Sequence, residues 1–64
     1  MRKVMLSYRV HVTDLKTARQ YYFGYHRTKG NEGYQFGSRE EADRAADVVN
    51  ANPTYLADVE EYEV

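Results

Sequence analysis

Sixty-four residues with no Cys, no Trp and one Pro allow one small domain at most, and exclude a disulfide framework or thiolate chemistry. A chain this short buries only about 60% of the surface its unfolded form exposes, so folding rests on a single apolar core, completed if need be by a partner chain. No apolar run approaches membrane-spanning length and Met1-Arg2-Lys3 opens no secretory or transit segment, so the expectation is a free-standing cytoplasmic domain over residues 1–64.

The formal net charge of −1 conceals a strong asymmetry. Residues 1–31 carry seven Lys and Arg against Asp14, a net of +6, whereas residues 32–64 carry Arg39 and Arg44 against nine acids, a net of −7. Such a chain either steers a charged partner, associates with itself, or cancels its two halves locally within one fold.

In chain order, Val4, Leu6, Tyr8, Val10 and Val12 alternate with Met5, Ser7, Arg9 and His11. This period of two predicts a strand with one buried and one wet face. Residues 13–18 break the alternation with turn formers and read as a hairpin connection. Residues 19–26 form a second strand by their aromatic content, with Phe23 turned inward and Gly24 marking a bulge or the close approach of another backbone. Residues 27–33 are a polar loop, and Tyr34-Gln35-Phe36 a short third strand. Ser38-Arg39-Glu40-Glu41 is a capping box that opens a helix, with Ala42, Ala45, Ala46 and Val49 on one narrow apolar stripe. Glu40 and Arg44 stand at the spacing of an i,i+4 pair. Asn50 or Asn52 is expected to end the helix in a left-handed cap before Pro53. Residues 54–64 make a last strand, with a bulge near Glu60-Glu61 to bring Val59, Tyr62 and Val64 onto one face. The predicted fold is α+β: β-β-β-α-β, a four-stranded sheet of order 4-1-2-3 with one helix on one face, and a right-handed crossover that sets the fourth strand parallel to the third. The expected core is Val4, Leu6, Tyr8, Val10, Val12, Phe23, Phe36, Ala42, Ala45, Ala46 and Val49.

The sequence carries no catalytic set. His11 falls on the wet face and His26 at the end of the second strand; with Glu32 they are too few for a zinc site, which takes three or four protein ligands. Ser38 is used as a cap, and the glycines match no phosphate-cradling fingerprint. No cofactor or metal is expected, and a chain this short has little room for a substrate pocket.

Binding signals are richer. The wet face of the first hairpin should carry Arg9, His11 and Tyr22, with Arg27 and Lys29 in the loop beyond, and interleaved aromatic and basic residues on a sheet can stack on bases and neutralise phosphates. Tyr and Arg are equally at home in protein interfaces, and Tyr is a good strand former in its own right. Tyr21-Tyr22-x-x-Tyr25-x-Arg27-Thr28-Lys29-Gly30, followed by Phe36-Gly37-Ser38-x-Glu40-Glu41-Ala42, resembles the three-stranded DNA-binding domains of the plant APETALA2 type and of phage integrase arm-binding modules. That resemblance covers about half the chain. It implies a hairpin presented to the major groove, contacts from Arg27 and Lys29, and a supporting helix over residues 38–50. The sparse basic content of the sheet and an added acidic strand depart from that pattern.

The acidic half offers Glu40, Asp43 and Asp47 on the helix and Glu60, Glu61 and Glu63 on the last strand, with Tyr55 and Tyr62 as aromatic anchors. These acids either meet a basic protein surface or serve as solvated, aggregation-resistant edge charges. The reading that follows is a non-catalytic protein acting by stoichiometric protein–protein contact, expected to be a homodimer formed by edge pairing or strand exchange. In size and charge it resembles the small accessory proteins with which phages and mobile elements inhibit or redirect host nucleic-acid enzymes. The alternative is a sheet-face nucleic-acid-binding module using Arg9, His11, Tyr22, Arg27 and Lys29.

Overall fold

A computed structural model describes residues 4–24 and 33–64. They form a small α+β domain: strands β1 (Leu6–Asp14) and β2 (Arg19–Tyr22), helix α1 (Arg39–Asn50) and strand β3 (Tyr55–Glu63). The sheet is antiparallel with order β2-β1-β3.

The β1–β2 hairpin closes on Asp14, whose carboxylate accepts the Lys16 amide at 2.9 Å and the Thr17 amide at 3.3 Å. Ala18 takes the left-handed conformation at φ 61° that this turn requires. β1 and β3 pair over nine residues without interruption, from Leu6 opposite Glu63 to Asp14 opposite Tyr55. The expected bulge at Glu60-Glu61 is therefore absent. Regular pairing puts Tyr55, Ala57 and Val59 on the helix side and sends Tyr62 to the opposite face with Asp58 and Glu60.

The expected third strand, Tyr34-Gln35-Phe36, is reduced to one antiparallel bridge between Tyr8 and Phe36. β2 ends at Tyr22, after which Phe23 donates its amide to the Val10 carbonyl. Two left-handed glycines then bring the chain in from both sides. A Cβ on Gly24 (φ +80°) would stand 2.8 Å from the Tyr34 Cβ, and one on Gly33 (φ +74°) 2.5 Å from the Tyr22 Cβ. The close approach expected at Gly24 is thus real, and it lets Tyr34 donate to the Phe23 carbonyl at 2.8 Å. Phe36 consequently meets β1 directly, on the edge that β2 has vacated, rather than lying outside β2 as the order 4-1-2-3 requires. Phe36 runs antiparallel to β1 at this bridge, as β3 does along its length.

Ser38 caps α1 from an extended backbone, its hydroxyl accepting the Glu41 amide at 3.3 Å. The return bond of a full capping box, from Glu41 to the Ser38 amide, is not formed, and Glu40 and Arg44 do not approach within ion-pair distance. The helix ends at Ala51 in right-handed geometry, so neither asparagine supplies the expected left-handed cap. Asn50 is used elsewhere, as described below, and Asn52 accepts the Thr54 amide on its side chain.

The core is Val10, Val12, Phe36, Ala42, Ala46 and Ala57, with Tyr8, Ala45, Val49, Tyr55 and Val59 packed around it. Small alanines on α1 let the helix lie close over β1 and β3. It is displaced from β2, which is why Phe23, expected inside, remains 36% exposed. Val4, which precedes β1, and Leu6 at its first position are also exposed. Among the described residues no helix is long and apolar enough to cross a membrane.

Candidate functional site

Two surfaces emerge, one on each side of β3. The first is the sheet face that α1 leaves uncovered. Alternation sends Ser7, Arg9, His11 and Thr13 of β1 to this face, together with Tyr22 of β2 and Glu60 and Tyr62 of β3. Arg9 lies directly opposite Glu60 in the register, and its Nε donates to Glu60 Oε1 at 2.9 Å. The guanidinium is held between two rings, 4.5 Å from the Tyr22 centroid and 4.7 Å from that of Tyr62. The Tyr22 hydroxyl donates to the same Glu60 oxygen at 3.0 Å, and His11 sets its ring edge-on to Tyr22 at 5.6 Å.

The electrostatics follow from this geometry. The hydrogen bond to Glu60 raises the Arg9 pKa, reinforcing its charge. Burial pushes the Glu60 carboxyl up, but hydrogen bonds from Arg9 and Tyr22 and the charges of Arg9 and His11 outweigh it and hold the group below its ordinary value. Burial, together with the bond to Glu60, raises the Tyr22 phenol. The cluster is a closed circuit: one cation, one anion and two rings whose inner faces are spent on that cation. At the same end, Gln35 donates to the hydroxyl of Ser7 at 2.7 Å, burying a serine expected to be wet.

The second surface is the acidic flank of α1 and β3. Asp43, Asp47 and Asp58 line a shallow polar groove between helix and strand, with Arg39, Asn50 and Val59. Glu40 is exposed on the first turn of α1, and Glu61 and Glu63 are exposed further along β3. Asn50 spans the groove: its Nδ2 donates to the Ala57 carbonyl at 3.0 Å and its Oδ1 accepts the Ala57 amide at 2.8 Å. One carboxamide thus imitates one residue of a neighbouring strand.

The acidic set expected to act together is divided by the fold. Glu40, Asp43, Asp47, Glu61 and Glu63 belong to the flank. Glu60 and Tyr62 face the other way and are held by Arg9, while Tyr55 is half-buried against the core. Of the basic and aromatic set, Arg9, His11 and Tyr22 converge on one face, whereas Arg27 and Lys29 lie outside the described residues, as do His26 and Glu32. Among the described residues no three His, Asp or Glu stand close enough to hold a metal ion. Sequence reasoning misses Asn50, whose reach to β3 depends on a crossing distance that no local pattern encodes. The Arg9–Glu60 pair becomes visible once β1 and β3 are put in register. Comparison of the chain with family models, curated proteins and solved structures finds no match.

Proposed function

We propose that the chain is a non-catalytic, cytoplasmic binding protein that works by stoichiometric contact with a basic protein surface, met by the acidic flank of α1 and β3. The observation that supports this reading is the way charge is distributed. Arg9 is spent on Glu60, the one ion pair among the described residues, so Asp43, Asp47, Glu61 and Glu63 stand exposed along one flank without a basic partner among the described residues at salt-bridge distance. Such a field steers a basic partner at high rate and low ionic strength. An inhibitor or accessory protein directed at a host nucleic-acid enzyme is one form of it, by analogy of size and charge. The test is capture of a partner from the source cell or its host, followed by remeasurement with Asp43→Lys, Asp47→Lys, Glu61→Lys and Glu63→Lys combined. The association rate should fall at least tenfold at low salt; unchanged kinetics would sink the reading.

The nucleic-acid alternative draws on the aromatic face of Tyr22, Tyr62 and His11. It requires Arg9 to leave Glu60 before it can neutralise a phosphate, and an absence of mobility shifts with DNA and RNA at low salt would dispose of it. Self-association is a further proposal, supported by the size of the core: among the described residues only Val10 and Val12 are large side chains that are fully buried, and Tyr21, Phe23, Tyr34 and Val48 stay exposed on the helix side. A second copy would cover them, and sedimentation at high micromolar protein tests it, a monomer counting against.

A further inference from the structure

We infer that the outer edge of β3 from Val59 to Glu63 accepts an extended, Lys- or Arg-bearing protein segment as an added strand. The inference rests on the acidic-flank reading and specifies how that flank binds.

The argument begins with the direction of each backbone group. Val64 donates its amide to Met5 and Thr54 accepts the Leu15 amide, so even-numbered residues of β3 point their amides and carbonyls at β1. Antiparallel pairing then turns residues 55, 57, 59, 61 and 63 outward. Two of these are already served. Tyr55 donates to the Asn52 carbonyl, and Ala57 is bonded through both amide and carbonyl to the Asn50 side chain. Among the described residues, nothing bonds the outward amides and carbonyls of Val59, Glu61 and Glu63. The edge is therefore closed at one end by a side chain that mimics a strand, and open for the next five residues. Backbone groups in such a row give an incoming strand its affinity, while side chains select it.

Charge selects the occupant. Glu61 and Glu63 lie exposed on the helix side of the open edge, and Asp43 and Asp47 line the groove that reaches the edge at Val59. A second copy of this chain is a poor fit. With Ala57 blocked by Asn50, antiparallel self-pairing over the open segment sets unpaired acids opposite one another, as with Glu61 on Glu61 or Glu61 on Glu63, and like charges directly opposite are destabilising. A strand carrying Lys or Arg at alternate positions meets Glu61 and Glu63, which share one face, instead.

The test uses the whole chain and a synthetic ten-residue peptide of alternating Lys and Val, with a Glu-Val peptide as control, followed by amide hydrogen exchange at millimolar peptide and low salt. The Lys-Val peptide should slow exchange at Val59, Glu61 and Glu63 at least tenfold and leave Asp58, Glu60 and Tyr62 unchanged; the control should do neither. Glu61→Pro and Glu61→Ala remove the same charge, but only the first removes an outward amide. Glu61→Ala should retain peptide binding and Glu61→Pro should lose it, and the alternating protection in the unsubstituted chain decides the matter if Glu61→Pro does not fold. Binding without alternating protection, or equal binding by the two variants, would overturn strand addition while leaving a purely electrostatic flank intact. No peptide response at all would overturn both. Protection of the same three amides by raised protein concentration alone would assign the edge to self-pairing and overturn the inference.

Discussion

Asn50→Ala is the most direct probe of how the helix is fastened to the edge strand. The substitution deletes two hydrogen bonds, of 2.8 and 3.0 Å, and returns the Ala57 amide and carbonyl to water. Each such bond is worth about 0.5–1.5 kcal/mol net, so the pair contributes about 1–3 kcal/mol. Alanine is the better helix former and offsets about 0.5 kcal/mol. The expected loss is therefore about 1–2 kcal/mol, out of a total of about 3–10 kcal/mol for a domain of this size. In urea, with an m-value of about 1 kcal/mol/M, the midpoint should fall by about 1–2 M at unchanged slope. Asn50→Asp should lose more at pH 7. Its carboxylate can still accept the Ala57 amide, but it turns a second acceptor on the Ala57 carbonyl. It also places negative charge at a helix C-terminus, which costs about 0.3–1 kcal/mol, and lies in a groove already lined by Asp47 and Asp58. These surroundings raise the new carboxyl's folded pKa above its unfolded value, so the variant should regain stability as pH falls through that folded pKa and a donor reappears. An Asn50→Ala loss below 0.5 kcal/mol, on the order of ordinary surface substitutions, or an Asn50→Asp variant as stable as Asn50→Ala at pH 7, would refute the clamp.

Ala18→Gly should stabilise the domain by about 0.5–1 kcal/mol, because a left-handed alanine at φ 61° is strained where glycine is not; thermal melts check this, and a loss of stability would count against the turn geometry. Val10→Ala, at a position with no exposed surface, should cost about 2 kcal/mol in the same assay, and a neutral result would mean that β1 is not the centre of the core. Glu60 has a folded pKa below its unfolded value, so its contribution is present above the ordinary carboxyl value of 4.5 and lost as pH falls through the folded one. The pair is more than a third exposed at Glu60, which keeps the effect below about 1 kcal/mol. Glu60→Gln should flatten the acid limb of the stability profile, and an unchanged limb would assign acid sensitivity to other carboxylates.

Much of the fold is legible in the sequence where a local pattern coincides with a structural period. The alternation around Val10 and Val12 locates the central strand, and Ser38 with the alanine stripe locates α1 and its buried face. The failures share a cause. The core assignments for Val4, Leu6 and Phe23 assume that a helix covers the whole sheet, whereas twelve residues of helix cover β1 and β3 only in part. The bulge proposed for β3 assumes that Tyr62 belongs inside. Nothing local to residues 54–64 reveals that a cation on another strand holds that ring outside. The left-handed cap expected at Asn50 or Asn52 likewise uses a local propensity, which at Asn50 a tertiary bond overrides.

The acids of β3 bear on partner choice through the same geometry that makes them protective. An edge strand of nine residues is a template for pairing, and charge is the usual means of blunting it. Charge, however, blunts selectively. It opposes a strand of like sign, including a second β3, and attracts one of opposite sign. Guarding against self-pairing and selecting a basic strand are then two consequences of a single arrangement, in which Arg9 neutralises Glu60 from the sheet face and leaves Glu61 and Glu63 at the edge. Salt separates the two consequences. Screening weakens the attraction of a basic segment and relaxes the repulsion between copies together, since both act over distances comparable to the Debye length of ~10 Å at 0.1 M. Peptide binding at the edge should thus decline over the same range of ionic strength in which self-pairing becomes less unfavourable, and a purely protective edge would show only the second change.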